Sequence, residues 1–297
     1  MQPTSVDEAR GLSGAQLDAI AGLERRVVAH DGGRLKLEWG ALRERPPREV
    51  NDLLAWESGT LVGYCGIYAF GGEPELAGAV DPARRRGGIG SALLARALEH
   101  VATRGRSQVL LVTPSATPSG RRFAQAKGAS LHHSEHHLTL PGPPRAPVHS
   151  RAPVPGLLIR VRQGEESDRT AVLAILQGAF GTGPAEAGQP GPRDVALVAE
   201  QDGAVVGTVR LDLSGGVAGV YGLAVRADLR GGGIGRALLF EVCVEARRRG
   251  ARTVTLEVET DNDRALGLYT SVGFERRTTE DYFALPVSKP ASSPAGR

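Results

Sequence analysis

Arg230-Gly231-Gly232-Gly233-Ile234-Gly235-Arg236, running straight into Ala237-Leu238-Leu239, is the stretch from which the rest of the chain is best read. Three consecutive glycines accept positive φ angles and let another molecule come close to the backbone. Ile234, Leu238, Val242 and Ala246 then recur every fourth residue, the spacing of one apolar helix face. A glycine turn feeding a helix start offers free N–H groups at the positive end of the helix dipole, a setting that attracts phosphate. The same grammar occurs at Arg85-Arg86-Gly87-Gly88-Ile89-Gly90-Ser91, again followed by Ala92-Leu93-Leu94.

The two loops lie 145 residues apart, and the offset holds well beyond them. Val80 matches Val225, Arg104-Gly105 matches Arg249-Gly250, Gly128 matches Gly273, and Leu140-Pro141 matches Leu285-Pro286. Upstream, Gly59-Thr60-Leu61-Val62-Gly63 pairs with Gly203-Ala204-Val205-Val206-Gly207 after a one-residue shift. A collinear series of this kind marks a duplicated domain. The expected organisation is an N-terminal copy over 1–142, a proline-rich linker over 143–156, a C-terminal copy over 157–288 and a disordered tail over 289–297.

At 297 residues the chain suits two domains, each large enough for its own core. No apolar run approaches a membrane span, and the N-terminus lacks the pattern of a secretory signal, so a cytoplasmic location is expected. Cys65 and Cys243 fall one in each copy within apolar surroundings and read as core thiols, not as a disulfide. The net charge is +3, supplied almost wholly by arginine, but no basic stripe with interleaved aromatics is present. Nucleic acid is therefore not an expected partner, nor is a membrane; a monomer or homodimer is expected.

Alternation and turn residues give the C-terminal copy the order β-α-loop-β-β-β-α-β-α-β, a mixed α/β architecture. The predicted pieces are a strand at Leu157 to Arg162, a helix to about Phe180, a Gly/Pro-rich loop over 181–192 and strands over 195–201, 204–213 and 217–225. The glycine loop and its helix follow, then a strand over 252–259, a helix over 262–272 and one or two closing strands over 274–287. The N-terminal copy follows this order, except that no clear first strand precedes its helix near Gly14 to His30.

The glycine loop fits neither the dinucleotide fingerprint nor a P-loop, since no Gly-Lys-Ser/Thr follows. It reads Arg-x-x-Gly-x-Gly after a strand ending Leu223-Ala224-Val225. In this it resembles the acetyl-CoA-binding signature of the GNAT N-acetyltransferase superfamily. The resemblance implies two tandem GNAT domains, each a mixed, mostly antiparallel sheet flanked by helices. It also implies that Arg230 to Arg236, with Leu223 to Val225, hold the cofactor, and likewise Val80 and Arg85 to Ser91 in the first copy. The cofactor so implied is acetyl-CoA as cosubstrate, with no metal.

Asn262-Asp263-Arg264-Ala265-Leu266-Gly267-Leu268-Tyr269-Thr270-Ser271-Val272-Gly273-Phe274 reads first as a capped amphipathic helix. Asn262 and Tyr269 lie two turns apart on one face. The segment is similar to the family's Asn-x-x-Ala-x-x-Leu-Tyr-x-x-x-Gly-Phe motif at every fixed position. By that resemblance Asn262 meets the pantetheine region and Tyr269 directs its hydroxyl at the thioester sulfur, as the catalytic residue. A phenol with a pKa near 10 stays protonated at neutral pH and can protonate a leaving thiolate. A backbone N–H around Leu223 to Val225 would serve the oxyanion. In the first copy the matching residues are Thr117 for Asn262, Ala124 for Tyr269 and Gly128-Ala129 for Gly273-Phe274. That copy keeps the anion cradle and lacks the proton donor.

For the general base, Asp212, Tyr221, Glu257 and Glu259 all remain open. His132-His133-Ser134-Glu135-His136-His137 reads as an exposed or partly stacked strand. The whole chain is similar to the tandem members of the family, with mycothiol-synthase-like organisation. In the mycothiol synthases of that group an acidic base sits on the strand before the glycine loop, a place that falls near Gly219 here. A substrate lysine sits on the preceding strand, where this chain has Val209-Arg210-Leu211-Asp212. The reading is thus acetyl transfer to the primary amine of a small molecule or peptide in the C-terminal copy; the alternatives are an acetyl-CoA-binding or regulatory protein without turnover and a mycothiol synthase proper.

Overall fold

A computed structural model describes residues 5–45, 47–69, 72–146, 159–181, 195–214 and 216–287. Most of the expected linker, the Gly/Pro-rich loop and the tail lie outside the described residues. The described residues form two compact units, one up to Glu135 together with Thr278 onward, the other His136–Arg277. Among the described residues no helix is long and apolar enough to cross a membrane.

In the first unit, β1 (Val6–Ala9) and α1 (Gly14–Asp31) precede a short α2 (Trp39–Arg43) and the meander β2 (Asp52–Glu57), β3 (Thr60–Tyr68) and β4 (Glu75–Val80). Then come α3 (Ile89–Thr103), β5 (Gln108–Pro114), α4 (Pro118–Ala126) and β6 (Ser130–Leu140), of which the first half belongs here. β1 corrects the expectation of no first strand: Val6 to Ala9 pair antiparallel with Ala55 to Asp52. With Asp7 and Glu8 at its centre it lacks a two-residue apolar alternation, so the partner strand and not its own pattern specifies it.

The second unit runs β7 (Ile159–Gln163), α5 (Arg169–Phe180), β8 (Val195–Gln201), β9 (Ala204–Ser214), β10 (Val217–Val225), α6 (Ile234–Arg248), β11 (Thr253–Glu259), α7 (Asp263–Val272) and the start of β12 (Glu275–Pro286). That is the order expected from sequence, with a single closing strand. Each unit also holds a strand from the other half of the sequence. Thr113 to Gln108 of β5 pair antiparallel with Asp281 to Pro286 of β12, whose Phe283 and Leu285 enter the first unit's core. His136 to Leu140 of β6 belong to the second unit, where Leu138 and Leu140 join its main core.

The helix after each glycine loop is seated by a glycine in the neighbouring strand. A Cβ at Gly63 would stand 2.6 Å from Ile89 and 3.0 Å from Leu93; one at Gly207 would stand 2.8 Å from Leu238 and 3.4 Å from Ile234. The bare backbone lets α3 and α6 press onto the sheet, which fixes where their N-termini point. Sheet coverage differs between the units. The first has a core on each face, one with Leu93, Leu94 and Ala97 of α3, the other with Ile20, Leu23 and Val27 of α1. The second packs α6 and α7 on one face; on the other, Ile175, Leu176 and Ala224 form a small cluster among the described residues.

Candidate active site

The loop before α6 has the geometry its glycines permit. Gly231 and Gly233 take φ of +88° and +90°, and Gly233 is the N-cap of α6 with no side-chain cap. The first helical bonds run from Arg236 and Ala237 N–H to the Gly233 carbonyl, so the amides of Gly231 to Gly235 have no backbone or side-chain acceptor among the described residues. Orphaned N–H groups at a helix start are an anion site in waiting. Arg230 folds back, its Nε donating to the Val225 carbonyl at 3.0 Å.

Leu223, Ala224 and Val225 lie beside a gap in the sheet. β10 and β11 run parallel and pair only from Val217–Thr253 to Gly219–Thr255; beyond that they carry no register with each other among the described residues. On its other side β10 breaks register with β9 between Tyr221 and Ala224, where Gly222 takes φ +59°. The bulge leaves Gly222 and Leu223 without register partners in β9. A splayed pair of strands with such amides at its edge accommodates an extended chain and an oxyanion donor side by side.

α7 starts beyond the end of β11. Asn262 caps it, its Oδ1 accepting from Ala265 N–H at 3.1 Å, which leaves its amide nitrogen for other use. Gly273 ends it at φ +112°, as a C-cap glycine should. Tyr269 packs against the main core, edge-on to Phe274 with ring centroids 6.2 Å apart. Burial pushes its phenol pKa up, and its hydroxyl has no hydrogen-bond partner among the described residues. It is thus a protonated donor with nothing to donate to.

The first unit repeats the loop and alters what surrounds it. Gly88 caps α3 at φ +87°, and Arg86 takes φ +68° where the second unit has Gly231. Its Arg85 is held by Asp31. β4 pairs with β3 without a break from Gly63–Val80 to Tyr68–Glu75, so no bulge faces its gap. Ala124 is wholly buried in α4, and Thr117 caps that helix without a side-chain bond.

The base candidates lie on the less covered face of the second unit. Asp212 is the cross-strand partner of Gly219, and Tyr221 that of Arg210. Tyr221 is 46% exposed and lies along its strand, so that a Cβ at Gly219 would stand 2.5 Å from its ring. Glu257 and Glu259 alternate with the buried Val254, Leu256 and Val258. The histidine run is a strand: His133 stacks on Tyr282 at 4.2 Å and lies 3.7 Å from Glu135. Among the described residues no three histidine, cysteine, aspartate or glutamate side chains converge as metal ligands do. Cys65 and Cys243 are free and buried, and burial lifts each thiol to about 12.

Two features escaped sequence reasoning. One is the Gly222 bulge, signalled only by a glycine inside an otherwise regular strand. The other is Arg264, whose Nη2 lies 3.9 Å from where a Cβ of Gly231 would stand. It was present in the quoted helix motif, but nothing in the spacing ties it to the loop.

The model of the Acetyltransferase (GNAT) family matches residues 21–128 and 170–274. A mycothiol acetyltransferase of Cellulomonas flavigena is 30% identical over 99% of this chain and 92% of its own. That of Streptomyces coelicolor is 30% identical over 94% of each. Among solved structures, a GCN5-related N-acetyltransferase from Sphaerobacter thermophilus superposes with a TM-score of 0.76 at 21% identity, covering 95% of this chain and 96% of that one. A tandem GNAT protein from the clavulanic acid biosynthesis pathway gives 0.67 at 19% identity, covering 97% of this chain and the whole of that one. These two likenesses show the fold.

Proposed function

The chain belongs to the acetyltransferase (GNAT) family, as a tandem member and an acyltransferase, and we propose that its C-terminal half moves acetyl from acetyl-CoA to the primary amine of a small molecule. The observation that carries the reading is the coexistence, in one unit, of uncapped glycine-loop amides, a bulged strand at an open gap, and a protonated Tyr269 without a partner.

In this reading the amides of Gly231 to Gly235, with the Arg236 side chain, hold the cofactor diphosphate, while Arg230, tied by its Nε to the Val225 carbonyl, braces the loop. Asn262 meets the pantetheine arm where it passes between β10 and β11. The acceptor amine attacks the thioester carbonyl from the face of Tyr221. A backbone N–H at the Gly222–Leu223 bulge steadies the oxyanion, and Tyr269 gives its proton to the departing thiolate sulfur. Asp212 and Glu257, whose positions alternate with the core-facing residues of β9 and β11, take the ammonium proton through water in this reading. Val80 and Arg85 to Ser91 form the matching cradle of 1–142, which Ala124 leaves without a donor, so that half binds or supports and does not turn over.

The name of the relatives puts the mycothiol acceptor amine first among candidates. Tyr221 lying over Gly219 distinguishes this site from one with an acid at that strand position. Thiol release from acetyl-CoA, measured over an amine panel that includes the mycothiol acceptor, tests the proposal. Release that depends on one amine and on Tyr269 supports it. Acetyl-CoA binding with no release on any amine would favour a binding protein instead.

A further inference from the structure

The second unit holds a cavity of about 350 Å³ beside its glycine loop. Ala171, Ala174, Ile175 and Gly178 of α5 line it together with Val205 of β9. Arg226 and Arg230 line it as well. Arg226 spends its Nε on Asp228 at 2.8 Å and Arg230 its Nε on the Val225 carbonyl; neither has a second partner among the described residues. Two guanidinium groups with unspent terminal N–H donors thus border an apolar hollow. α5 cannot answer them, since its sequence from Arg169 to Phe180 contains no acid.

The first unit fills the same place from within. Arg85, the match of Arg230, likewise donates Nε to the Val80 carbonyl, at 3.2 Å. Its two terminal nitrogens, however, grip both oxygens of Asp31, the last residue of α1, with the first contact at 2.9 Å. That fork holds the Asp31 carboxyl below its ordinary range. Where the second unit has Arg226, the first has Asp81, which pairs with Arg26 of α1 at 2.6 Å. In one unit the helix brings its own carboxylate to the loop arginine; in the other it brings small side chains and leaves a space. A planar fork of this kind recognises carboxylate in two-pronged fashion.

We propose that the cavity of the second unit is a binding site for an external small carboxylate, whose compact apolar body rests on Ala171, Ala174 and Gly178 while its carboxylate takes the Arg230 fork as Asp31 takes that of Arg85. Neither Gly231 to Gly235 nor Asn262 nor Tyr269 lines this cavity, so it lies apart from the groups proposed to hold acetyl-CoA and to protonate the thiolate. Because Arg230 also borders the glycine loop, occupancy here is coupled to the loop's own ligand.

Sodium hexanoate is the probe, at ionic strength held constant with sodium chloride. The full-length protein carries ¹³C in its alanine and isoleucine methyl groups. Saturable shifts are expected at Ala171, Ala174 and Ile175, with a millimolar Kd and no response to 1-hexanol. Gly178→Leu fills the hollow without a clash, since a Cβ there meets nothing within 4 Å. It is expected to weaken hexanoate at least about tenfold while calorimetric acetyl-CoA affinity stays within about twofold. Ala174→Leu repeats the test from a second position. Absent or unsaturable shifts, an equal response to hexanol, or hexanoate affinity unchanged in both variants would overturn the inference. Failure of the wild type to bind acetyl-CoA would strike the acetyl-transfer reading alone.

Discussion

Replacing Tyr269 with phenylalanine removes one oxygen atom and leaves the ring against Phe274 and the core. That hydroxyl has no hydrogen-bond partner among the described residues, so its loss strands no buried group and costs the fold under about 0.5 kcal/mol. Cofactor binding, resting on backbone amides at the far end of the site, changes little. Chemistry does not escape so lightly, because the thiolate then leaves without a proton donor. General-acid contributions run from about 10² to 10⁴, and a thiolate is a fair leaving group unaided; the expected fall in kcat is thus about 10² to 10³, or about 3–4 kcal/mol of barrier. Steady-state thiol release, with melting curves as a check on folding, measures it. In the wild type, burial raises the phenol pKa above its ordinary value, so loss of the donor shows as a change in kcat across the whole neutral range. A Phe variant that kept more than about a third of wild-type kcat would refute the general-acid role.

Arg86→Gly should stabilise the first unit by about 1 kcal/mol, seen as a rise of about 2–4 °C in Tm, because Arg86 holds a φ of +68° that glycine takes without strain. Gly207→Ala should cost about 1–3 kcal/mol and also weaken acetyl-CoA in calorimetry, since its Cβ would stand 2.8 Å from Leu238 and 3.2 Å from the Ala224 carbonyl and so push α6 off the sheet. Asp168 accepts from both terminal nitrogens of Arg162, at 2.7 and 2.8 Å, and its carboxyl is lowered to about 2. Its contribution is full above the unfolded value near 4 and is lost as pH falls towards 2; Asp168→Asn should cost about 1–2 kcal/mol in denaturant at pH 7 and nearly nothing at pH 2.

The parts of this molecule that were legible in its sequence are those governed by local chemistry. Gly231 and Gly233 announce a left-handed loop, Ile234 to Ala246 a helix face, and Asn262 with Gly273 the two ends of a capped helix. The repeat made the order of elements legible twice over. It also concealed how the strands are shared. Leu140-Pro141 and Leu285-Pro286 are equivalent, so either closing strand satisfies the pattern of either sheet, and only three-dimensional pairing assigns Phe283 and Leu285 to one core and Leu138 and Leu140 to the other. β1 was hidden because its acidic centre carries no alternation. The bulge at Gly222 and the Asp31–Arg85 fork depend on register and on a contact between residues 54 positions apart, which spacing alone does not encode.

On the proposed function the two cradles, alike in sequence, differ in work: that before α6 serves acetyl transfer and that before α3 does not. Gly88 and Gly233 hold nearly the same φ, +87° and +90°, so valine at either strains its loop alike. Amine-dependent thiol release is the measurement to make on Gly88→Val and Gly233→Val side by side. Activity close to wild type is expected in Gly88→Val, and loss in Gly233→Val. Loss in Gly88→Val with activity retained in Gly233→Val would contradict it.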